Sequence, residues 1–272
     1  MTAGFTDIHC HLLPGVDDGA ADLAASLAVS GLAVASGSRT LVVRPHQLGN
    51  FAHNHGDDIR RWTGELQAAL DDAGLALEIL PGADVRIDDG MVHKLLSGEV
   101  LTLGDHGRHV LLELPHETYL PLEGLLAELK RHGITGILSH PERNRGLLNE
   151  PELLPDLVEA GCLMQVTAGS LVGTFGADSQ RLSEWMLRQG LIHVLASDGH
   201  SPRSRRPLLR RSFDRAAEIV GRDVAETICS INPALVAAGR DVSAGRLQPA
   251  RRMTSAAPRG WRSLFSSRRK AA

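Results

Sequence analysis

An α/β architecture with parallel strands gathered into a β/α barrel is the expectation set by two features of this chain. Strand-like and helix-like stretches alternate up to about residue 240, giving seven strand–helix units in order, and such alternation implies a parallel sheet. The chemistry-bearing residues also fall in one kind of place. His9, His11, His46, Asp84, Glu113, His140, Asp198 and His200 all lie at or just past the C-terminal end of a predicted strand, in six of the seven units. A closed barrel brings those ends to one mouth, whereas the outer strands of an open sheet never reach a common centre.

The first strand carries Asp7-Ile8-His9-Cys10-His11. Side chains alternate along a strand, so His9 and His11 share one face and Ile8 and Cys10 the other. Two imidazoles on one face suit a borderline transition metal, and Asp17 or Asp18, on the following Gly-bounded loop, offers an oxygen ligand. Asp22 to Ala35 has helical spacing. Arg39 to Val43 is a β-branched run ended by Pro45-His46, and a polar loop with His53 and His55 leads into a helix from about Asp57 to Ala73. Leu75 to Leu80 is the next strand, closed by Pro81-Gly82 and followed by Asp84, with a short helix near Asp88 to Leu96. Arg108 to Leu114 is a strand that ends at Glu113, and Pro121 to Arg131 reads as helix with proline near its first turn. Ile134 to Ser139 is a strand running into His140-Pro141-Glu142-Arg143-Asn144. Helix at Glu150 to Ala160, strand at Cys162 to Val166 and helix at Ser179 to Gln189 follow, with Gly161 and Gly190 where C-caps belong. Leu191 to Ala196 is the last strand and ends in Ser197-Asp198-Gly199-His200, before helices at Leu208 to Val220, Asp223 to Ile228 and Pro233 to Ala238.

The 272 residues are 43% hydrophobic and 22% charged, the balance of an ordinary globular chain. Cys10, Cys162 and Cys229 show no C-x-x-C spacing and leave one thiol unpaired in any disulfide scheme, which fits a reducing cytosol. There is no basic segment followed by an apolar run at the start and no stretch of about eighteen apolar residues, so a cytoplasmic protein is expected. From Arg246 the chain holds eight basic and no acidic residues, leaving the preceding part with 21 basic against 32 acidic. That body does not favour nucleic acid. We divide the chain into a barrel over residues 1–245 and a basic, disordered tail over 246–272. Trp261, Leu264 and Phe265 among the tail's arginines suit either a solvated tail or a short interfacial helix on the inner face of an anionic membrane. Homo-oligomerisation is left open.

Histidines and carboxylates gathered at one mouth are costly unless cations neutralise the carboxylates. Imidazole mixed with carboxylate, without thiolate, points to manganese, iron or zinc in an open catalytic site. D-I-H-C-H-x-L-P-G-x-D-D-G at the start, S-H-P-E-R-N around His140 and A-S-D-x-H at Asp198 resemble the bacterial CpsB/YwqE-type protein-tyrosine phosphatases of the PHP (polymerase and histidinol phosphatase) superfamily. The resemblance covers roughly residues 5 to 240. It implies a distorted (β/α)7 TIM-like barrel of the PHP type with three divalent metal ions, most simply manganese. Carried over position by position, it makes His9, His11, Asp18, His46, Asp84, Glu113, His140, Asp198 and His200 the metal ligands, with Asp198 and His200 also in the catalytic set. The family usually has glutamate where Asp84 stands here, a shorter arm for a bridging carboxylate.

The implied activity is hydrolysis of phosphotyrosine on the tail of a bacterial tyrosine kinase linked to capsule or exopolysaccharide production, by attack of a metal-bound hydroxide. Arg143 is the matching phosphate clamp, and Arg205 or Arg206, before Pro207, is a second. The bland alternatives pair Arg143 with Glu142 and leave Arg205 and Arg206 on a solvated face. No Cys-x5-Arg loop is present, which argues against a thiolate nucleophile. Three rival readings stand beside this one: a small-molecule phosphatase of the histidinol phosphate type, a metal-bound regulatory module without turnover, and an amidohydrolase. The last wants a further histidine on the sixth strand and a bridging lysine after the fourth, and neither is found.

Overall fold

Helix ends and strand starts are set by local chemistry, and α1 shows how. In the computed structural model, which describes residues 4–247, β1 (Phe5–Cys10) is buried throughout and leads to α1 (Leu23–Ser36). The Asp22 carboxylate accepts the Ala25 N–H at 2.8 Å, and Gly37 ends the helix at φ 100°, its N–H turned back to Ala33 and Val34. Then come β2 (Ser38–Val43), β3 (His46–Gln47), α2 (Gly56–Asp72), β4 (Glu78–Pro81), β5 (Asp84–Arg86), α3 (Met91–Ser97), β6 (His109–Glu113), α4 (Glu123–Arg131) and β7 (Thr135–Ser139). The expected helix at 150–160 is present as α6 (Leu153–Glu159), and an unexpected short helix, α5 (Arg145–Asn149), precedes it across Pro151. After β8 (Leu163–Thr167) come α7 (Ala168–Leu171), α8 (Ala177–Arg188), β9 (Val194–Ala196), α9 (Arg210–Val220), α10 (Arg222–Glu226) and α11 (Asn232–Ala237). The basic tail beyond Leu247, with its proposed membrane contact, lies outside the described residues.

The strands form two parallel sheets, β1-β2-β4 and β3-β5-β6-β7-β8-β9. The expected α/β class with parallel strands is therefore present. β2 runs through Arg44-Pro45 into β3, and β4 through Gly82-Ala83 into β5; between them the Asp84 N–H donates to Pro45 O at 3.0 Å. At the far edge Cys10 bridges Gly199, the Asp198 N–H donates to His9 O and the His11 N–H to Gly199 O, both at 2.8 Å.

Side-chain alternation stacks two layers on one face of these sheets. Ile8, Val42, Leu80, Leu111, Ile137, Leu163, Val194 and Ala196 make an apolar layer, packed with Leu103 and with Val236 and Ala237 of α11. Two residues further along five of these strands the same face turns polar, with Arg44, Glu113, Ser139, Gln165 and Asp198 all buried. β1 departs from strict alternation. Its pairing slips between Asp7↔Leu41 and Cys10↔Val43, one residue more on β1 than on β2. That extra residue lets Ile8 pack in the apolar layer while its neighbour His9 already faces the polar one.

Candidate metal centre

Every one of the nine residues nominated as a metal ligand comes to this polar layer. Four overlapping groups form: His11, Asp18, His46 and His200; His9, His11 and Asp84; His9, His140 and Asp198; and His46, Asp84 and Glu113. Within each group one donor atom per residue lies within 4.8 Å of the others. His9 Nε2 is 2.8 Å from Asp198 Oδ1, and His46 Nδ1 is 3.4 Å from Glu113 Oε2 and 3.6 Å from Asp84 Oδ2. Asp18 Oδ1 lies 3.4 Å from both His46 Nε2 and His200 Nε2. Asp18 is the exposed member of the set, whereas the Asp84 and Asp198 side chains are 1% exposed.

The ring nitrogens facing away from the shared space are already engaged, which fixes which nitrogen points inward. His9 Nδ1 sits 2.6 Å from Gln165 Oε1, His11 Nδ1 2.7 Å from Asp17 Oδ2, and His200 Nδ1 2.9 Å from the Asp198 carbonyl. Each partner is an acceptor, so Nδ1 carries the proton and Nε2 keeps its lone pair for a ligand bond. Asp17 thereby acts as the orienting neighbour, also accepting the N–H groups of Gly19 and His46, and Asp18 is the one turned toward the other ligands.

The donor set suits cations. His9 Nε2, both Asp84 oxygens, Asp198 Oδ1 and His200 Nε2 are buried and make no hydrogen bond, an arrangement that is expensive unless an ion satisfies them. His140 (φ 34°) and Asp198 (φ 54°) hold left-handed backbone conformations, unusual outside glycine, at the ends of β7 and β9. Both belong to one of the four groups.

The charges are nearly those a metal site requires. Burial pushes His11, His9 and His140 below the ordinary histidine range, keeping them neutral. Burial acts against ionisation of Asp198, but the adjacent Arg205 guanidinium opposes it, and that carboxyl stays well below its usual value. His200 and His46 do the same for Asp18. His46 differs: burial would lower it, yet Asp18 and Glu113 raise it to about 11, so its proton must leave when an ion binds.

Arg143 and Arg205 both donate to Asp198 Oδ2, leaving Oδ1 for the ligand cluster. The Arg143 guanidinium also lies 4.3 Å from the ring centroid of Phe175. It does not pair with Glu142, whose Oε1 accepts from Thr167 N at 3.1 Å and Ser170 Oγ at 2.7 Å. Of the two arginines before Pro207, Arg205 reaches the cluster. Arg206 is exposed and makes no ion pair among the described residues. All three cysteines are buried and free, and burial raises their thiols, Cys162 to about 12, so none offers a thiolate.

Sequence reasoning passed over Arg44, Gln165, Phe175 and His116, whose ring stacks on His140 at 5.5 Å. A lone polar residue in the apolar run Cys162 to Val166 was the available signal for Gln165. His53, on the loop after His46, stands 6.1 Å from Phe51, which itself stacks on His46 at 5.2 Å.

Three comparisons place this geometry among known proteins. The family model described as "Capsular polysaccharide synthesis, CpsB/CapC" matches residues 5–237. The tyrosine-protein phosphatase YwqE of Bacillus subtilis is 36% identical over 201 residues, 73% of this chain and 78% of its own. A chain from the crystal structures of YwqE from Bacillus subtilis and CpsB from Streptococcus pneumoniae, described as unique metal-dependent tyrosine phosphatases, superposes with a TM-score of 0.85 at 31% identity. That match covers 91% of this chain and 100% of the other. An amidohydrolase from Mycoplasma synoviae, 14% identical with a TM-score of 0.54 over 86% of this chain and 88% of its own, shares the fold alone.

Proposed function

This chain belongs to the CpsB/CapC family of capsular polysaccharide synthesis, and from that premise we propose that it is a metal-dependent protein-tyrosine phosphatase. Its substrate in this reading is phosphotyrosine on the tail of a bacterial tyrosine kinase that serves capsule or exopolysaccharide production. The observation that carries the proposal is the convergence of all nine ligand candidates on one polar layer, with two arginines held beside them on Asp198.

Three divalent ions, with manganese the first choice, fit the donor groups. His11, Asp18, His46 and His200 would hold one, His9, His140 and Asp198 a second, and Asp84 with Glu113 a third. When bound, the ions supply Lewis acidity to the phosphoryl oxygens and acidify water. The chain's own residues do the rest. Arg143 and Arg205, fixed by Asp198 Oδ2, present guanidinium donors at the edge of the cluster, where a dianionic phosphate monoester fits two forked cations. Phe175, under Arg143, limits the guanidinium's swing and offers a flat surface beside it.

We read the two sheets as one distorted (β/α)7 barrel. β2 with β3, and β4 with β5, count as single kinked strands, and the bonds between Cys10 and Gly199 join the first unit to the last. Residues 1–245 are the catalytic unit and 246–272 a basic appendage. No helix among the described residues is long and apolar enough to cross a membrane, in keeping with a cytoplasmic enzyme.

The test is phosphate release from a phosphotyrosyl peptide, a phosphoseryl peptide and histidinol phosphate, each with manganese and with chelator. Chelator-sensitive release from the phosphotyrosyl peptide is expected. Release from histidinol phosphate alone would move the assignment to a small-molecule phosphatase, and silence on all three would favour a binding module.

A further inference from the structure

Arg44 is a fully buried cation at the depth of the ligands. It follows Val42 of the apolar layer and precedes His46 of the ligand set on the same face. None of its three guanidinium nitrogens makes a hydrogen bond, and its one ion-pair partner among the described residues is Asp84, with Nη1 3.1 Å from Oδ1. A guanidinium so placed is costly and is tolerated only opposite a charge that needs it. Asp84 is that charge. Burial alone would raise its carboxyl, but Arg44, followed by His46, brings it down to about 2.

The pairing divides the two oxygens of Asp84. Oδ1 faces Arg44, while Oδ2 faces the ligand imidazoles, 3.6 Å from His46 Nδ1 and 3.9 Å from His9 Nε2. The family resembled by this sequence usually has glutamate here. Aspartate with an arginine at its back leaves one oxygen where a free carboxylate would offer two.

We propose that Arg44 is a positioning residue that acts as a built-in counter-cation, holding Asp84 as a one-oxygen ligand and weakening ion capture at the two donor groups that share it. This rests on the reading of Asp84 as a metal ligand. The guanidinium keeps the centre neutral enough to fold without ions, and the same positive charge opposes an ion that arrives at Asp84 Oδ2. Ion occupancy there becomes dependent on supply, while the group of His9, His140 and Asp198, which lacks Asp84, lies outside this pairing.

The test compares the full chain with Arg44→Met and with Arg44→Met/Asp84→Asn, by calorimetric titration with manganese alone and by thermal melting in chelator. Arg44→Met is expected to melt lower in chelator, because Asp84 is left uncompensated, and to bind manganese about tenfold or more tightly at its strengthened sites. Adding Asp84→Asn should restore the melting temperature in chelator and abolish the gain in affinity. Unchanged or weaker manganese binding by Arg44→Met would overturn the proposal. So would a double variant that melts as low as the single one, since Arg44 would then be acting through packing. If Arg44→Met does not fold in any condition, a folded double variant supports the charge argument and an unfolded one refutes it. A native chain that binds no manganese removes the metal reading, and this proposal with it, whereas equal affinities remove only the role of Arg44.

Discussion

Gln165 decides which nitrogen His9 can offer, although it is no ligand itself. Its Oε1 accepts the Nδ1–H at 2.6 Å and so leaves Nε2 facing Asp198 and Asp84. The Gln165 amide nitrogen is buried without a partner, so the side chain contributes more to the site than to the fold. Replacing it with leucine should lower manganese affinity by about 10- to 100-fold, the usual cost of losing a partner behind a ligating histidine. The melting temperature in chelator should barely move. Native affinity in Gln165→Leu, read by the same titration, would show that His9 needs no such partner. Asp17 has a parallel part behind His11.

The helices depend on their ends. α1 is mostly solvent-facing over its first turn and has the Asp22 carboxylate on the Ala25 N–H as its N-terminal cap. Asp22→Ala should therefore cost about 1 kcal/mol in urea unfolding with metal content unchanged. An unaltered urea midpoint would mean that packing against the neighbouring strands alone fixes this helix. The same punctuation explains what could be read in advance. Apolar runs bounded by Gly161 and Gly190 marked the starts of β8 and the last unit, because glycine takes the left-handed conformation found at both. β3 and β5, two and three residues long, escaped notice because each merely continues a strand past Pro45 or Gly82. Leu75 and Leu77, taken as strand, are spent in the turn after Gly74, whose N–H and theirs bond back to Asp71, Leu70 and Leu75. At the site, the histidines were legible from their motifs, whereas Asp17 and Asp18 are chemically identical neighbours that only the loop's path separates. Arg44 was hidden for another reason. An arginine ending a β-branched run looks like a strand end reaching solvent, and only the stacking of layers shows that it points inward.

Stability of the molecule should respond to acid through histidines far from the centre. His193 accepts the Met164 N–H at Nδ1 and donates from Nε2 to Gly245 O, both at 3.0 Å, so its ring must be neutral; burial lowers it to about 4. His109, also buried, is lowered to about 4. A folded value below the unfolded one of about 6.5 means that the unfolded chain gains the proton first. The contribution is complete above about pH 6.5 and is lost as pH falls toward 4. Urea midpoints in chelator should decline from about pH 7 to about pH 5, and less steeply in His193→Gln. Equal slopes in the two proteins would remove His193 from the account.

The junction of Cys10 with Gly199 has a consequence for how the protein comes into being. The two residues are 189 positions apart, yet the ligands on either side of that junction belong to the same donor groups. A ribosome adding about 5–20 residues per second needs on the order of 10 to 40 s to pass from the first pair of histidines to the last aspartate and histidine. During that interval His9 and His11 stand on a strand whose partner at one edge has not been made. Completion of the groups that contain Asp198 or His200 is thus an event of the finished chain. A nascent or truncated polypeptide that stops short of Asp198 presents most of the ligands but only the two groups built around Asp84, so the full set of donor groups requires a chain that runs past His200.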